Sequence, residues 1–182
     1  LVYGDSLKVL KRFQEDYFDV IYIDPPYNTG SDGFVYNDNF NFTSEELQTK
    51  LSISEEQANK ILDLTKRGSA SHSAWLMFMA SRLQLAKDLL TDDGVIFISI
   101  DDNEQANLKL LCDSIFGEEN IVAQLVWEQG KKSMAAQIAI NHEYCLVYCK
   151  EKDKNIIRIK SDESNGVNNT NWCIRKQGLE AI

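Results

Sequence analysis

The sequence predicts an α/β protein built on a mostly parallel sheet with an antiparallel last strand pair. Three observations carry that prediction. Strand-like and helix-like stretches alternate over the first 150 residues, the pattern that stacks helices on a parallel sheet. Val95 to Ile100, VIFISI, is a continuous apolar run, as expected of a central strand covered on both faces. Ile121 to Glu128 and Glu143 to Lys150 read as two further strands, joined by a stretch too short for a sure helical crossover, so that pair is expected to run antiparallel.

The elements follow in order. Gly4-Asp5-Ser6 starts a helix, capped by Asp5 or Ser6, with Leu7, Val9 or Leu10, and Phe13 inward. Phe18 to Ile23, rich in Val, Ile and Tyr, reads as a buried strand. Asn28 to Phe42 is polar and aromatic with two glycines, hence a loop. Thr43 and Glu46, then Ser54 and Gln57, have the spacing of two capping boxes, each opening a short helix. After a second loop, KRGSASHS, a longer helix is expected from Ser73 to about Leu90, with Trp75, Phe78, Met79, Leu83, Ala86 and Leu90 as its core stripe. TDDG reads as a turn into the Val95 strand. Asp101 is expected to cap the next helix, with Glu104 in the capping-box position, Leu108, Leu111, Ile115 and Phe116 inward, and Gly117 closing it. Beyond Lys150 the chain turns charged and polar with little periodicity, a weakly patterned extension over residues 151–182.

A length of 182 residues with 43% apolar content suits one domain with a real core. The chain has no apolar run of roughly 18 residues and no basic-then-apolar leader, so nothing in it predicts a membrane span or a signal peptide. It opens on LVYGDSL, a strand running into a helix with no initiator Met, as expected of a piece of a longer protein. Cys112, Cys145, Cys149 and Cys173 form no CxxC pair and have no histidine cluster beside them, which fits small buried thiols in a reducing cytosol and gives no metal site. A net charge of −9 argues against tight non-specific nucleic-acid binding by this chain alone.

The most informative stretch is IYIDPPYNTG, Ile21 to Gly30, which holds both prolines of the chain side by side. In open α/β sheets, sites form beyond the carboxyl ends of strands, and Asp24 stands at such an end. Each proline restricts the residue before it and offers no backbone N–H. Asp24, Pro25 and Pro26 therefore make a stiff, acceptor-rich corner, with Tyr27 beside it as a stacking face. Such a corner suits an aromatic ring that carries an exocyclic amine, which points to a nucleobase. A purely structural reading, in which Pro-Pro ends the strand and Tyr27 packs on the core, stands beside it on the residues alone.

DPPYNTG resembles catalytic motif IV of the amino-methyltransferases that modify DNA bases. The blocks YGDSLKVL, VIYIDPPYNTG, FVYNDNF, GSASHSAWLMFMASRLQLAKDLL, DDGVIFISIDDNEQANLKLL, IFGEENIVAQLVWE and NHEYCLVY stand in the same order as in the modification subunit of type III restriction systems, a group of β-class adenine-N6 methyltransferases. The resemblance covers roughly the first 150 residues. It implies a permuted, partial Rossmann-like fold that uses S-adenosyl-L-methionine, with residues 1–150 the catalytic part and 151–182 the start of the target-recognition region. It further implies methyl transfer to N6 of an adenine flipped out of double-stranded DNA, with a restriction subunit as partner and a homodimer as the assembled form, in the cytoplasm.

Carried over residue by residue, the resemblance implies catalytic roles for Asp24, Pro25, Pro26 and Tyr27. Tyr27, Asn28, His142 and Tyr144 would contact the base, and Asp5, with Asp24 and Pro25, the cofactor. Asp5 also reads as a plain helix cap, His142 as a structural hydrogen-bonder, and Asn28 as a turn former. One departure stands out: the family's glycine-rich FxGxG cofactor motif has no counterpart, since no GxG occurs in the chain. Two other functions remain open, a cytosine-N4 methyltransferase, in which Ser often replaces the Asp of DPPY, and a non-catalytic nucleic-acid-binding or assembly module. The Gly130 to Lys132 stretch and the basic residues between Lys150 and Lys160 are candidates for phosphate contact or simply a solvated face.

Overall fold

A computed structural model describes residues 3–29, 43–66, 70–128 and 141–155. Helix α1 (Ser6–Leu10) is a short turn whose N-cap, Asp5, accepts from the Lys8 amide at 3.3 Å. Phe13 lies beyond it and packs on Tyr17 and Phe18 at ring-centroid distances of 5.1 and 5.0 Å. Strand β1 (Phe18–Ile23) forms where expected but is not the buried strand its composition suggests: none of its residues is buried, and Val20 and Tyr22 stand exposed on the face that the helices leave open.

Both capping boxes form. Thr43 and Glu46 bond reciprocally at 2.8 and 3.2 Å to open α2 (Ser44–Leu51), and Ser54 and Gln57 do so at 3.2 Å each to open α3 (Glu55–Lys66). Helix α4 (Ala70–Leu89) leads directly into β2 (Leu90–Ile100). Helix α5 (Gln105–Phe116) ends on Gly117, whose φ of +102° is one a side chain resists. Strands β3 (Ile121–Glu128) and β4 (His142–Cys149) complete the sheet.

The sheet order is β1-β2-β4-β3. β1 and β2 pair in parallel, with Ile21 opposite Ile96 and Ile23 opposite Ile98. β4 runs antiparallel to β2 and β3 antiparallel to β4, so the last pair is antiparallel as the short connection requires. The helices cover one face of the sheet. Ile96, Ile98, Ile100, Leu146 and Tyr148 meet Trp75, Met79 and Leu83 of α4 and Leu108, Leu111 and Phe116 of α5, with Ala58 and Ile61 of α3 behind them. Each fully buried large side chain in this layer contributes about 1.5–3 kcal/mol.

Three further elements depart from the sequence expectation. Helix α4 begins at Ala70, so Ser71 and His72 lie inside its first turn and not in a loop; both are held there by tertiary hydrogen bonds, which no local pattern encodes. TDDG belongs to β2 as an irregularity. Between the pairs Phe18–Leu90 and Val20–Val95 one residue of β1, Asp19, faces the four residues 91–94 of β2. Asp101 is not the cap of α5 and Glu104 does not close a capping box: the helix starts at Gln105, with Glu104 itself at the N-cap and no side-chain cap bond. Asp101 instead accepts from the Asn103 amide (2.9 Å) and side chain (2.7 Å) in an Asx turn, and the Glu104 side chain points into the protein.

Residues 156–182, and with them most of the expected extension, lie outside the described residues, as do residues 30–42, Gly130 to Lys132 and Cys173. The first residues after β4 fold back on the start of β2: the Lys150 and Glu151 amides donate to the Gly94 and Asp92 carbonyls. Lys150 pairs with Asp16 (2.6 Å), Lys154 with Asp92 (2.7 Å), and Lys152 donates to the Ile121 carbonyl (2.9 Å). These three lysines are engaged within the fold. Cys112, Cys145 and Cys149 are free thiols. Among the described residues no helix is long and apolar enough to cross a membrane, and no group of three His, Cys, Asp or Glu could hold a metal ion.

Candidate active site

The topology brings the expected site residues to one end of the sheet. β1 and β2 are parallel, and the antiparallel β4 starts where β2 finishes, with Ile100 opposite Tyr144. Asp24 to Asn28, Asp101 to Glu104 and His142 to Tyr144 therefore share the carboxyl edge of β1 and β2, the place where α/β sheets build sites. His142 and Tyr144 stand two strand spacings from β1, roughly 10 Å along the hydrogen-bonding direction.

At the DPPY corner the Tyr27 hydroxyl donates to Asp24 Oδ1 at 2.8 Å. One of the two carboxylate oxygens is thus committed to Tyr27, and the pair is locked side to side. Burial first, then the bond to Asp24 and the charges of Asp24 and Glu143, push the Tyr27 phenol above its ordinary value, so it stays a donor. Trp75 of α4, fully buried, donates its indole N–H to the Pro26 carbonyl at 2.6 Å. That bond fixes the second proline from below and leaves the Pro25 carbonyl and the Asp24 carboxylate as the acceptors of the corner.

Asn28 has a left-handed backbone, φ +57°, which Asn tolerates better than most residues. Its side chain turns into the protein: Nδ2 donates to Glu104 Oε1 at 2.5 Å, and Oδ1 accepts from Ser71 Oγ at 2.7 Å. Glu104 is completely buried and also accepts from His72 Nδ1 at 2.6 Å and from Asn107 Nδ2 at 2.8 Å. Across the sheet end, His142 Nε2 and the Tyr144 hydroxyl lie 2.8 Å apart, and Asp102 stands 3.7 Å from His142. The hydrogen bond to Asp102, ahead of burial, raises the Tyr144 phenol.

Asp5 is not part of the corner. Its Oδ1 caps α1 and its Oδ2 meets Arg82 Nη2 at 3.1 Å, while Arg82 also reaches Ser6 Oγ (3.1 Å) and lies 3.5 Å above the centre of the Phe78 ring. Burial draws the Arg82 guanidinium below its usual value and Asp5 opposes that shift. Between α1, β1 and α4 lies a cavity of about 620 Å³, lined by Ile21, Ile23, Phe78 and Arg82 and reaching Asp24, Pro25 and Pro26. Its size and its apolar walls with few charges are those of a small-molecule site. These residues fit one wall of a nucleoside-sized cofactor site, and the Asp24 carboxylate is placed where a cationic or hydroxyl group of such a ligand could meet it.

Trp75, His72, Ser71 and Glu104 were not legible as site residues. Trp75 sits in an apolar stripe and reads as core, which it also is. Glu104 is one of five polar residues in a row after a strand, and nothing local tells which of them turns inward.

The fold is similar to that of solved DNA methyltransferases. A DNA modification methylase-like protein of Thermus thermophilus, solved in complex with S-adenosyl-L-methionine, superposes with a TM-score of 0.50 at 16% identity, over 88% of this chain and 55% of that one. The cytosine-N4-specific PvuII DNA methyltransferase does so with a TM-score of 0.51 at 12% identity, over 82% and 48%. The chain belongs to the DNA methylase family of N6 and N4 methyltransferases, whose model matches residues 18–182. It is 50% identical over 168 residues to the Mod subunit of the type III restriction-modification enzyme EcoP15I of Escherichia coli, covering 91% of this chain and 26% of that protein. It is 51% identical over 158 residues to the EcoPI Mod subunit of Escherichia phage P1, covering 84% and 24%. The type II methyltransferase M.KpnI of Klebsiella pneumoniae is 37% identical over 152 residues, covering 81% and 31%. The chain thus spans about a quarter of the length of the Mod subunits it matches.

Proposed function

We propose that this chain carries the catalytic half of a site-specific DNA adenine-N6 methyltransferase that works in the modification arm of a type III restriction system. The observation that carries the reading is the Asp24–Tyr27 pair on the rigid Pro25-Pro26 corner at the carboxyl end of β1. Mod subunits at about half identity support the system and the base. Asp24, where cytosine-N4 enzymes often carry Ser, favours adenine.

The amine of adenine is a poor nucleophile because its lone pair is delocalised into the ring. In the proposed mechanism its two N–H groups donate to the Asp24 carboxylate and the Pro25 carbonyl, which holds the nitrogen and favours its pyramidal form. S-adenosyl-L-methionine, when bound, supplies an electrophilic sulfonium methyl. Asp24 stabilises the positive charge that grows on nitrogen, and the N–H proton made acidic by the transfer passes by way of its carboxylate to water; positioning with charge stabilisation provides most of the rate. Tyr27 stacks on the flipped base and returns about 1–3 kcal/mol of lost stacking. His142 and Tyr144, at the same sheet edge, border the base pocket. Ile21, Ile23, Asp24 and Pro25 form one wall of the cofactor site, with Asp5 acting through Arg82 at its rim.

Residues 1–150 are proposed as the catalytic part and residues 151–182 as the start of target recognition. A second copy of the chain and a restriction subunit are the proposed protein partners, and the cytoplasm, where bacterial DNA lies, the place of action. The test is to incubate the complete protein that contains this chain with DNA and S-adenosyl-L-methionine and analyse the nucleosides by mass spectrometry. N6-methyladenine is the expected product. N4-methylcytosine would move the assignment to the other base, and no methylated base at all would refute it.

A further inference from the structure

Glu104 has no role in the mechanism above, yet it is the one charged side chain among the described residues that is fully buried. Taking a carboxylate out of water costs several kcal/mol, and an apolar residue would fill the same space. Its position offsets part of that cost, since it stands at the N-cap of α5, where the helix dipole favours negative charge. Its hydrogen bonds offset more. Asn28 Nδ2 and His72 Nδ1 meet Oε1 at 2.5 and 2.6 Å, and Asn107 Nδ2 meets Oε2 at 2.8 Å.

The cluster joins three separate segments: the residue after DPPY, the first turn of α4, and the start of α5. Its target is Asn28, gripped at both ends of its amide by Glu104 and by Ser71 Oγ at 2.7 Å. Asn28 is the hinge at which the chain leaves the corner, in a left-handed conformation with φ +57°. Fixing that dihedral fixes the direction of the peptide that follows Tyr27, and so the placement of the ring and of the hydroxyl that meets Asp24.

We propose that Glu104, with His72 and Ser71, is a positioning device that acts through Asn28 to hold the Asp24–Tyr27 corner in its reactive geometry. The proposal rests on the methyltransferase reading, with Glu104 and His72 as positioning residues and not as groups that touch substrate. It also assigns the side chain of Asn28 to the protein and not to the base.

Steady-state methyl transfer by the complete protein tests it, with kcat, KM for DNA, KM for S-adenosyl-L-methionine and the melting temperature measured for each variant. Glu104→Gln leaves one acceptor oxygen for the three side chains that meet the carboxylate, and sets an amide N–H against at least one of them. It is expected to lower kcat by on the order of tenfold to a hundredfold, the loss that small misplacements cause, with KM for the cofactor unchanged. Asn28→Gly adopts the same left-handed backbone freely but has no amide to grip. In that background Glu104→Gln should cost less than about threefold more, because the path it acts through is gone. Full multiplication of the two losses would overturn the proposal, and so would Glu104→Gln with near-normal kcat.

If Glu104→Gln does not fold, Ser71→Ala and His72→Asn decide. Each is expected to lower kcat several-fold at an unchanged melting temperature, and unchanged kcat in both overturns the idea. An inactive wild-type protein refutes the methyltransferase reading and takes this inference with it, whereas an active wild type with unaffected variants refutes the inference alone.

Discussion

Trp75→Phe separates a core residue from a residue that holds the active corner, because Trp75 is both. The substitution keeps an aromatic ring in a fully buried site but removes the indole N–H that meets the Pro26 carbonyl at 2.6 Å. A carbonyl left without its donor costs about 1–3 kcal/mol, and the low end applies because Pro26 is only half-buried. The smaller ring leaves a void that adds about 1–2 kcal/mol, part of the roughly 3–5 kcal/mol that complete truncation of a buried aromatic costs. The expected destabilisation is therefore roughly 2–3 kcal/mol. Phe116→Leu, in an equally buried ring with no polar partner, supplies the packing cost alone. Urea unfolding followed by circular dichroism gives both values, and the Trp75 variant should exceed the Phe116 variant by about 1 kcal/mol. Activity separates them further: kcat should fall about tenfold in Trp75→Phe and stay near normal in Phe116→Leu, as expected where the lost contact orients reacting groups. Equal stabilities and equal kcat values in the two variants would show that the Trp75–Pro26 bond does nothing for the corner.

Tyr27→Ala should weaken methyl transfer by roughly fivefold or more, the lower bound of lost base stacking, while Tyr27→Phe should retain most activity; a Phe variant as poor as Ala would show that the hydroxyl bonded to Asp24, and not the ring face, is what Tyr27 supplies. The Tyr27 phenol is raised above its ordinary 10, so in the folded protein the bond to Asp24 persists below that value and through it, and is lost only as pH rises further. Tyr27 should therefore contribute no loss of activity as pH approaches 10, and an alkaline limb there that disappears in Tyr27→Phe would contradict the structure. Thr43→Ala removes the side-chain half of the α2 capping box and should cost about 1 kcal/mol in a denaturant titration with no change in kcat. A change too small to resolve from the scatter of such a titration would mean that water replaces the cap.

The fold was legible where local chemistry and global architecture agree. VIFISI and VIYI read as strands from their β-branched and aromatic residues, although the helices cover one face of the sheet and β1 is less buried than its composition suggests, and both capping boxes were visible because their partners lie three residues apart. TDDG misled because its turn residues loop out within a strand while the flanking pairs, Leu90 with Phe18 and Val95 with Val20, remain in place. The start of α4 was hidden because Ser71 and His72 are kept helical by Asn28 and Glu104, residues 43 and 32 positions away. At the site, stiffness and acceptor chemistry single out Asp24, Pro25, Pro26 and Tyr27 as a rigid corner, and the resemblance supplies the roles proposed for them. The device beneath them could not, since a Trp in an apolar stripe and a Glu in a polar turn look the same whether or not they reach across the fold.

Asp24→Ala in the complete protein tests the central claim most directly. Transfer of labelled methyl groups from S-adenosyl-L-methionine to DNA is measured beside cofactor binding by calorimetry. Removal of the group that meets developing charge is expected to lower turnover by at least about 10²–10³-fold, with cofactor binding largely preserved. Near-normal methyl transfer by the folded Ala variant would contradict the account.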